Sequence, residues 1–261
     1  MTSDRLPRVT QDDVEEIKQF IRSYVGSSGC DGVVIGQSGG IDSAVTTKLA
    51  VDALGADHVH TIFMPSNVTP DSDRVSTESM AKSWGTGYEI INITEAVDKL
   101  EEALGGGLSK LDRGNLSARC RMAILYSRAK SMNRIVLGTS NQSELMMGYF
   151  TKFGDGACDA LPLVNMYKTN VRQLARLIGV PDDIIAKPPT AGLWEGQTDE
   201  EEMGISYVML DQILYGLEQE RTDREIASIT GLPIANVQSI RARVVTMSHK
   251  RLPASRPGKV I

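Results

Sequence analysis

The chain has 261 residues, enough for one large α/β domain or two small ones with a substantial core. With 41% hydrophobic and 23% charged residues it has the composition of an ordinary globular protein. Its net charge of −5 argues against a general nucleic-acid or membrane-surface binder, which would carry a basic excess.

The three cysteines, Cys30, Cys120 and Cys158, are far apart and show no CxxC or Cys/His spacing. A disulfide framework and a zinc site are therefore not expected. The N-terminus lacks a signal-peptide core, and no stretch approaches the ~18 apolar residues of a membrane span. A cytoplasmic setting is the expectation.

Thr10 with Asp12 and Asp13 reads as a capped, acidic helix start, and Val14, Ile17, Ile21 and Tyr24 then share one helical face. GVVIG (32–36) suits a buried parallel strand. Val45, Leu49 and Ala53 stripe the helix that follows. HVHTIFM (58–64) reads as a strand, 72–84 as a helix, YEIINI (88–93) as a strand, and 95–104 as a helix with Val97, Leu100 and Leu104 inward. After the GGG loop, 115–133 reads as a long helix and RIVLGTS (134–140) as a further strand. This alternation predicts right-handed crossovers and a parallel sheet covered on both faces.

The polar, glycine-rich stretch 149–162 reads as a loop, and 168–179 as a helix with Val171, Leu174, Ala175 and Ile178 inward. KPPTAGLWEGQTDEEE (187–202) is a non-periodic connection and a candidate lid. One domain is expected over 1–261, with a helical C-terminal part from about 198 ending in a basic, extended SHKRLPASRPGK.

The chemistry concentrates in VVIGQSGGIDS (33–43). Glycines between a buried strand and a helix let the backbone approach a ligand, and free N–H groups at the helix start favour an anion. Ser38 and Ser43 add hydroxyls. GxxxxGK[ST] is absent, so this is not a Walker A loop. An aspartate within a phosphate cradle would repel the phosphates without a cation between them, so Asp42 implies Mg²⁺. Without a ligand, the same letters describe a glycine-rich strand–helix turn with Asp42 as an N-cap.

SGGIDS resembles the SGGxDS pyrophosphate loop of the N-type ATP pyrophosphatases. GNLSARCRM (114–122), LGTSNQSELMMGYFTKFGDGACDALPL (137–163), KPPTAGL (187–193) and SHKR (248–251) resemble, in order and spacing, the blocks of the ammonia-dependent NAD synthetases. The resemblance runs from the first helix to about Pro253. It implies a Rossmann-like α/β fold of the adenine nucleotide alpha hydrolase type. It also implies ATP-dependent amidation of deamido-NAD by ammonia, giving NAD, AMP and pyrophosphate through an adenylated intermediate. A glutamine-dependent form would need a further amidase domain, for which the chain has no room.

By this resemblance, Gly36, Gln37, Ser38, Gly39, Gly40, Ile41, Asp42 and Ser43 form the ATP loop, joined by Thr139, Lys168 and Thr190. Asp42, Ser38 and Lys168 are the catalytic candidates. Asp42 and Glu144 would ligate Mg²⁺, with two sites expected. Arg119, Lys152, Asp159, His249 and Lys250 match positions that hold deamido-NAD, and Arg121 beside Arg119 differs from it only in spacing. If strand order reverses between 32–36 and 134–140, Thr139 and the loop flank a switch-point crevice. Family members are homodimers with the substrate site at the interface. The 115–133 helix, with Leu116, Cys120 and Ile124 on one face, could be an interface element or an ordinary core helix.

Gln37 departs from the resemblance, which favours an apolar residue before SGG. Two other functions compete. REIASITGLPIANVQSIRAR (224–243), with Arg241, Arg243 and Arg251, imitates a DNA-binding helix-turn-helix. A different amidating or tRNA-thiolating enzyme of the same loop family would share SGGIDS; thiolation would call on cysteines such as Cys120 and Cys158.

Overall fold

The computed structural model describes residues 6–194 and 196–253. In chain order these form α1 (Gln11–Ser28), β1 (Gly32–Gly36), α2 (Ile41–Leu54), β2 (Val59–Phe63), α3 (Asp71–Trp84), β3 (Gly87–Ile90), α4 (Thr94–Ala103), α5 (Lys110–Ser131) and β4 (Arg134–Leu137). There follow α6 (Gln142–Met147), α7 (Lys168–Leu177), α8 (Asp182–Ala186), α9 (Asp199–Met203), α10 (Tyr207–Glu218), α11 (Asp223–Thr230), α12 (Ile234–Thr246) and α13 (Ser248–Arg251). The four strands pair in the order β3-β2-β1-β4, all parallel. Strand order thus reverses between β1 and β4, and the chain leaves these two neighbours toward a shared crevice.

Each face of the sheet is covered, which is why β1 is a continuous apolar run rather than an alternating one. Val33 and Ile35 point into a core with α1, α2, α7 and α8, where Ile21, Leu49 and Leu174 are fully buried. Val34, with Ile62 and Val136, points the other way onto Val97 of α4 and Ala129 of α5. A separate cluster joins α10, α11 and α12 through Leu210, Ile213, Ile226 and Val237, and draws in Met147 of α6 and Tyr167 just before α7. The C-terminal helices are thereby seated on the two helices that follow the sheet.

Local chemistry sets several boundaries. Thr10 and Asp13 form a reciprocal capping box at the start of α1, and Gly29 ends the helix with a left-handed φ of 69°. Several expectations need correction. Val25, not Tyr24, completes the buried face of α1. Leu100 and Leu104 are exposed, and of the expected α4 stripe only Val97 is buried. The α5 helix begins five positions early because Ser109 accepts from the Asp112 N–H and caps it. The strands expected at 88–93 and 134–140 stop at Ile90 and Leu137. Leu116, Cys120 and Ile124 are partly buried and pack against the cluster on this face of the sheet. The lid candidate closes into a short helix at Asp199–Met203. SHKR is a helical turn rather than extended; the tail from residue 254 lies outside the described residues.

The arginines of the helix-turn-helix likeness are engaged within the protein. Arg241 Nε pairs with Asp223 Oδ1 at 2.7 Å, Arg243 Nε donates to the Met147 carbonyl, and Arg251 donates to the carbonyls of Leu145, Met146 and Val244. These guanidinium groups tie the helices together. Among the described residues, no helix is long and apolar enough to cross a membrane.

Candidate active site

The crevice beyond β1 and β4 opens into a cavity of about 500 Å³. Its floor is the loop after β1. There the Ser38 hydroxyl accepts from the Gly40 N–H at 3.2 Å, and the Ser43 hydroxyl accepts from the Ser38 N–H and donates to the Gly40 carbonyl. Gly39 takes φ 81°, which favours glycine. Gly40 is the N-cap of α2, and no side chain caps it. The first N–H groups of α2, and the positive end of its dipole, therefore face the cavity without a competing side-chain acceptor.

Opposite the loop stands one lysine between two carboxylates. Lys168 opens α7, is 2% exposed, and places Nζ 2.5 Å from Asp42 Oδ2 and 3.0 Å from Glu144 Oε1. Asn141 braces both acids. Its side-chain N–H donates to Asp42 Oδ1 at 2.9 Å, and its backbone N–H donates to Glu144 Oε2 at 3.2 Å within the capping box of α6. Asp199, from the start of α9, lies in the same pocket wall. Tyr207 donates to its Oδ2 at 3.0 Å, while among the described residues no donor meets its buried Oδ1.

Three carboxylates thus face one ammonium, and the imbalance is visible in their acidities. Burial pushes Glu144 up to about 7, against the pull of Lys168 and with a further push from Asp42. Burial also raises Asp199. Burial alone would lower Lys168, but the adjacent Asp42 and Glu144 outweigh it and hold the ammonium above its ordinary range.

Among the described residues, no group of three or more His, Cys, Asp or Glu side chains is arranged to hold a metal by itself. Hard carboxylate oxygens in excess of positive charge nonetheless suit a cation that shares its shell with substrate phosphates. That is the usual way Mg²⁺ is held.

Of the expected ATP contacts, Gly36, Gln37, Ser38, Gly40, Ile41, Asp42, Ser43, Thr139, Lys168 and Thr190 line the cavity. Gly39 does not; it backs onto Asp73, which a Cβ at this position would meet at 3.2 Å. Of the expected deamido-NAD contacts only Lys250 lines the cavity, donating to the carbonyls of Gly148 and Phe150. Arg119, Lys152 and His249 gather outside it. Arg119 Nη2 donates to the Lys152 carbonyl, and Lys152 Nζ donates to the His249 carbonyl at 2.8 Å. Asp159 instead accepts from the Val136 N–H at 2.7 Å and from the Tyr126 hydroxyl.

Between the two arginines of ARCR, Arg121 is the one that lines the cavity, with Nε donating to the Met64 carbonyl at 3.0 Å.

Gln37 also receives an explanation. It is 2% exposed; its Oε1 accepts from Thr47 on α2 at 2.6 Å, and its Nε2 lies 3.7 Å from Met80 Sδ on α3. A glutamine is tolerated where an apolar residue was expected because α2 offers a hydroxyl to meet it.

Sequence reasoning missed Asp73, Lys187 and Asp199. Lys187 Nζ lies 2.5 Å from Asp73 Oδ1 and 3.4 Å from the Gly39 carbonyl, so the lid's first residue is fastened to the back of the phosphate loop. Lys187 heads the KPPTAGL segment, whereas Asp199 is hidden in the acidic run DEEE.

The family model for NAD synthase matches residues 13–254. The chain belongs to the NAD synthase family. An NH(3)-dependent NAD(+) synthetase of Archaeoglobus fulgidus is 52% identical over 214 residues, 81% of this chain and 86% of the relative. Among solved structures, an NMN synthetase from Francisella tularensis superposes with a TM-score of 0.85 at 34% identity, covering 95% of this chain and 98% of that one. An NH3-dependent NAD synthetase from Campylobacter jejuni, in complex with nitrate, gives 0.82 at 28% identity over 95% and 98%. The parallel four-stranded sheet with helices on both faces is thus the NAD synthase fold.

Proposed function

We infer that this chain is an ammonia-dependent NAD synthetase and that both chemical steps occur in the cavity at the β1/β4 switch point. The observation that carries this reading is Lys168 held between Asp42 and Glu144 opposite the SGGIDS loop. A carboxylate resists ammonia because its leaving group would be oxide; adenylation converts that leaving group to AMP. The nicotinate carboxylate oxygen of deamido-NAD attacks the α-phosphorus of ATP, and pyrophosphate departs. Ammonia then attacks the carbonyl carbon, the C–O bond to AMP breaks, and nitrogen loses a proton.

The chain's residues divide this work. The N–H groups at the start of α2, with Ser38 and Ser43, receive phosphate oxygens, and Lys168 adds a fixed positive charge. Thr139 and Thr190 contact ATP from β4 and the lid. Asp42 and Glu144 would hold Mg²⁺, which neutralises phosphate oxygens and the leaving pyrophosphate. Asp199 Oδ1, buried and met by no donor among the described residues, suits the ammonia proton or the ammonium that delivers it. The cavity wall keeps water from the acyl-adenylate.

Arg119, Lys152, Asp159, His249 and Lys250 hold deamido-NAD in a homodimer whose partner completes the site. The exposed Arg119–Lys152–His249 chain beside the cavity supports this. Three free cysteines fit a reducing, cytoplasmic setting.

The test supplies ATP, Mg²⁺, deamido-NAD and ammonium and measures products. NAD, AMP and pyrophosphate in equal amounts are expected; ADP, or no NAD, would overturn the reading. Glutamine in place of ammonium should give no NAD. Because the F. tularensis neighbour is an NMN synthetase, a parallel arm offers nicotinate mononucleotide, and deamido-NAD is expected to have the higher kcat/KM.

A further inference from the structure

The C-terminal helices bury a carboxylate to which the chemistry above gives no part. Asp211 lies in the middle of α10, fully buried beside Tyr207, Leu210, Ile213 and Leu214. Among the described residues no lysine or arginine forms an ion pair with it. Burying a carboxylate costs several kcal/mol unless hydrogen bonds satisfy it, and an apolar residue would suit this cluster better for packing alone. Its bonds therefore show what it is for.

Asp211 Oδ1 accepts from the Ser143 hydroxyl at 2.5 Å, and Oδ2 accepts from the Thr169 N–H at 2.8 Å. Ser143 Oγ in turn accepts from the Lys168 N–H at 2.9 Å. Ser143 is itself fully buried and directly precedes Glu144. Helices α1, α6 and α11 are capped by their own N-cap side chains, Thr10, Asn141 and Thr222. The N-cap of α7 is Tyr167, which provides no side-chain cap. Its first two N–H groups are met instead by Ser143 from α6 and Asp211 from α10.

We propose that Asp211 is a positioning residue for the amidation reaction, fixing through Ser143 the relative placement of α6 and α7 so that Lys168 Nζ stays between Asp42 and Glu144. Asp211 has this role only if Lys168 contacts the phosphates as inferred above. Lys168 has a long, rotatable stem, and its ammonium can be held to a few tenths of an ångström only if the backbone at its root is held first.

The test uses the full chain with Asp211→Asn, Ser143→Ala and Lys168→Gln, alone and in pairs. Asparagine keeps the size of Asp211 but offers one acceptor where two donors need one each. Asp211→Asn and Ser143→Ala should each lower kcat about tenfold or more, with KM for deamido-NAD within about twofold. In the Lys168→Gln background, adding Asp211→Asn should lower kcat less than about twofold further, because residues that act through one another are not additive. Ser143→Ala removes a single atom and carries the same expectations should Asp211→Asn fail to fold.

A lower melting temperature with unchanged kcat in Asp211→Asn and Ser143→Ala, while Lys168→Gln is impaired, would overturn the positioning role alone. So would a full multiplicative loss in the double variants. Unchanged kcat in Lys168→Gln would remove the assigned role of Lys168 and the positioning role together.

Discussion

Lys168 Nζ lies 2.5 Å from Asp42 Oδ2, joining the start of α7 to the start of α2 across the cavity. The two residues are 126 positions apart and come from opposite sides of the switch point. Asp42 fixes the lysine, and in the proposed function it also offers oxygen to a cation brought with the substrate.

Replacing Asp42 should separate these effects from folding. Asp42→Ala takes an acceptor from both Lys168 and Asn141 at once. Pyrophosphate release should fall about 10²–10³-fold, the usual cost of removing a preorganised electrostatic group. The circular-dichroism spectrum should stay native. Activity within a few-fold of the parent would refute both roles.

Chelation provides the complementary measurement. Two carboxylates and Asp199 exceed the single charge of Lys168, so ATP should bind productively only with a divalent cation. EDTA in excess over Mg²⁺ should abolish AMP formation, and Mg²⁺ should restore it. Calorimetric titration of Mg²⁺ should show much weaker binding without ATP than with it, since among the described residues no protein-only metal cluster exists. Tight binding to the free protein would contradict this.

Gly39 gives a backbone test. At φ 81° a Cβ is strained, and it would meet Asp73 atoms at 3.2–3.3 Å. Gly39→Ala should cost about 1–2 kcal/mol in urea unfolding, and it should raise KM for ATP because the phosphate loop must shift. Unchanged KM would mean the loop's conformation is not what binds the phosphates.

The glutamine before the loop makes a pairwise prediction. Gln37→Leu strands the Thr47 hydroxyl, which donates to Gln37 Oε1, at a cost of about 1–3 kcal/mol. Adding Thr47→Val should recover most of that loss, because removing both polar partners can be nearly neutral. Failure of the second substitution to compensate would mean that the strand end depends on Gln37 for more than this bond.

The sheet and the phosphate loop were legible because both depend on local pattern. An apolar run such as GVVIG can be buried on both faces without knowing its neighbours, and SGGIDS requires a bare backbone wherever it occurs. The strand reversal, in contrast, could be stated only as a condition. Asp199 and Asp73 were hidden because their importance is not local. Each is one acid among many on the chain, and only tertiary packing brings one beside Tyr207 and the other beside Lys187. Arg119 and Arg121 are two positions apart on α5 and therefore point to different sides, which the letters ARCR do not reveal. Leu100 and Leu104 had the helical period of a core face, yet among the described residues nothing covers them enough to bury them.

The last described turn anchors the cavity wall. Arg251 donates to the carbonyls of Leu145 and Met146, and Lys250 donates to those of Gly148 and Phe150. These carbonyls lie in the last turn of α6, the helix bearing Glu144, and in the chain just beyond it. The turn at Ser248–Arg251 is thus a clasp on the wall that carries Glu144: loosening it would let the second carboxylate drift from Lys168 while the sheet and the phosphate loop stay in place.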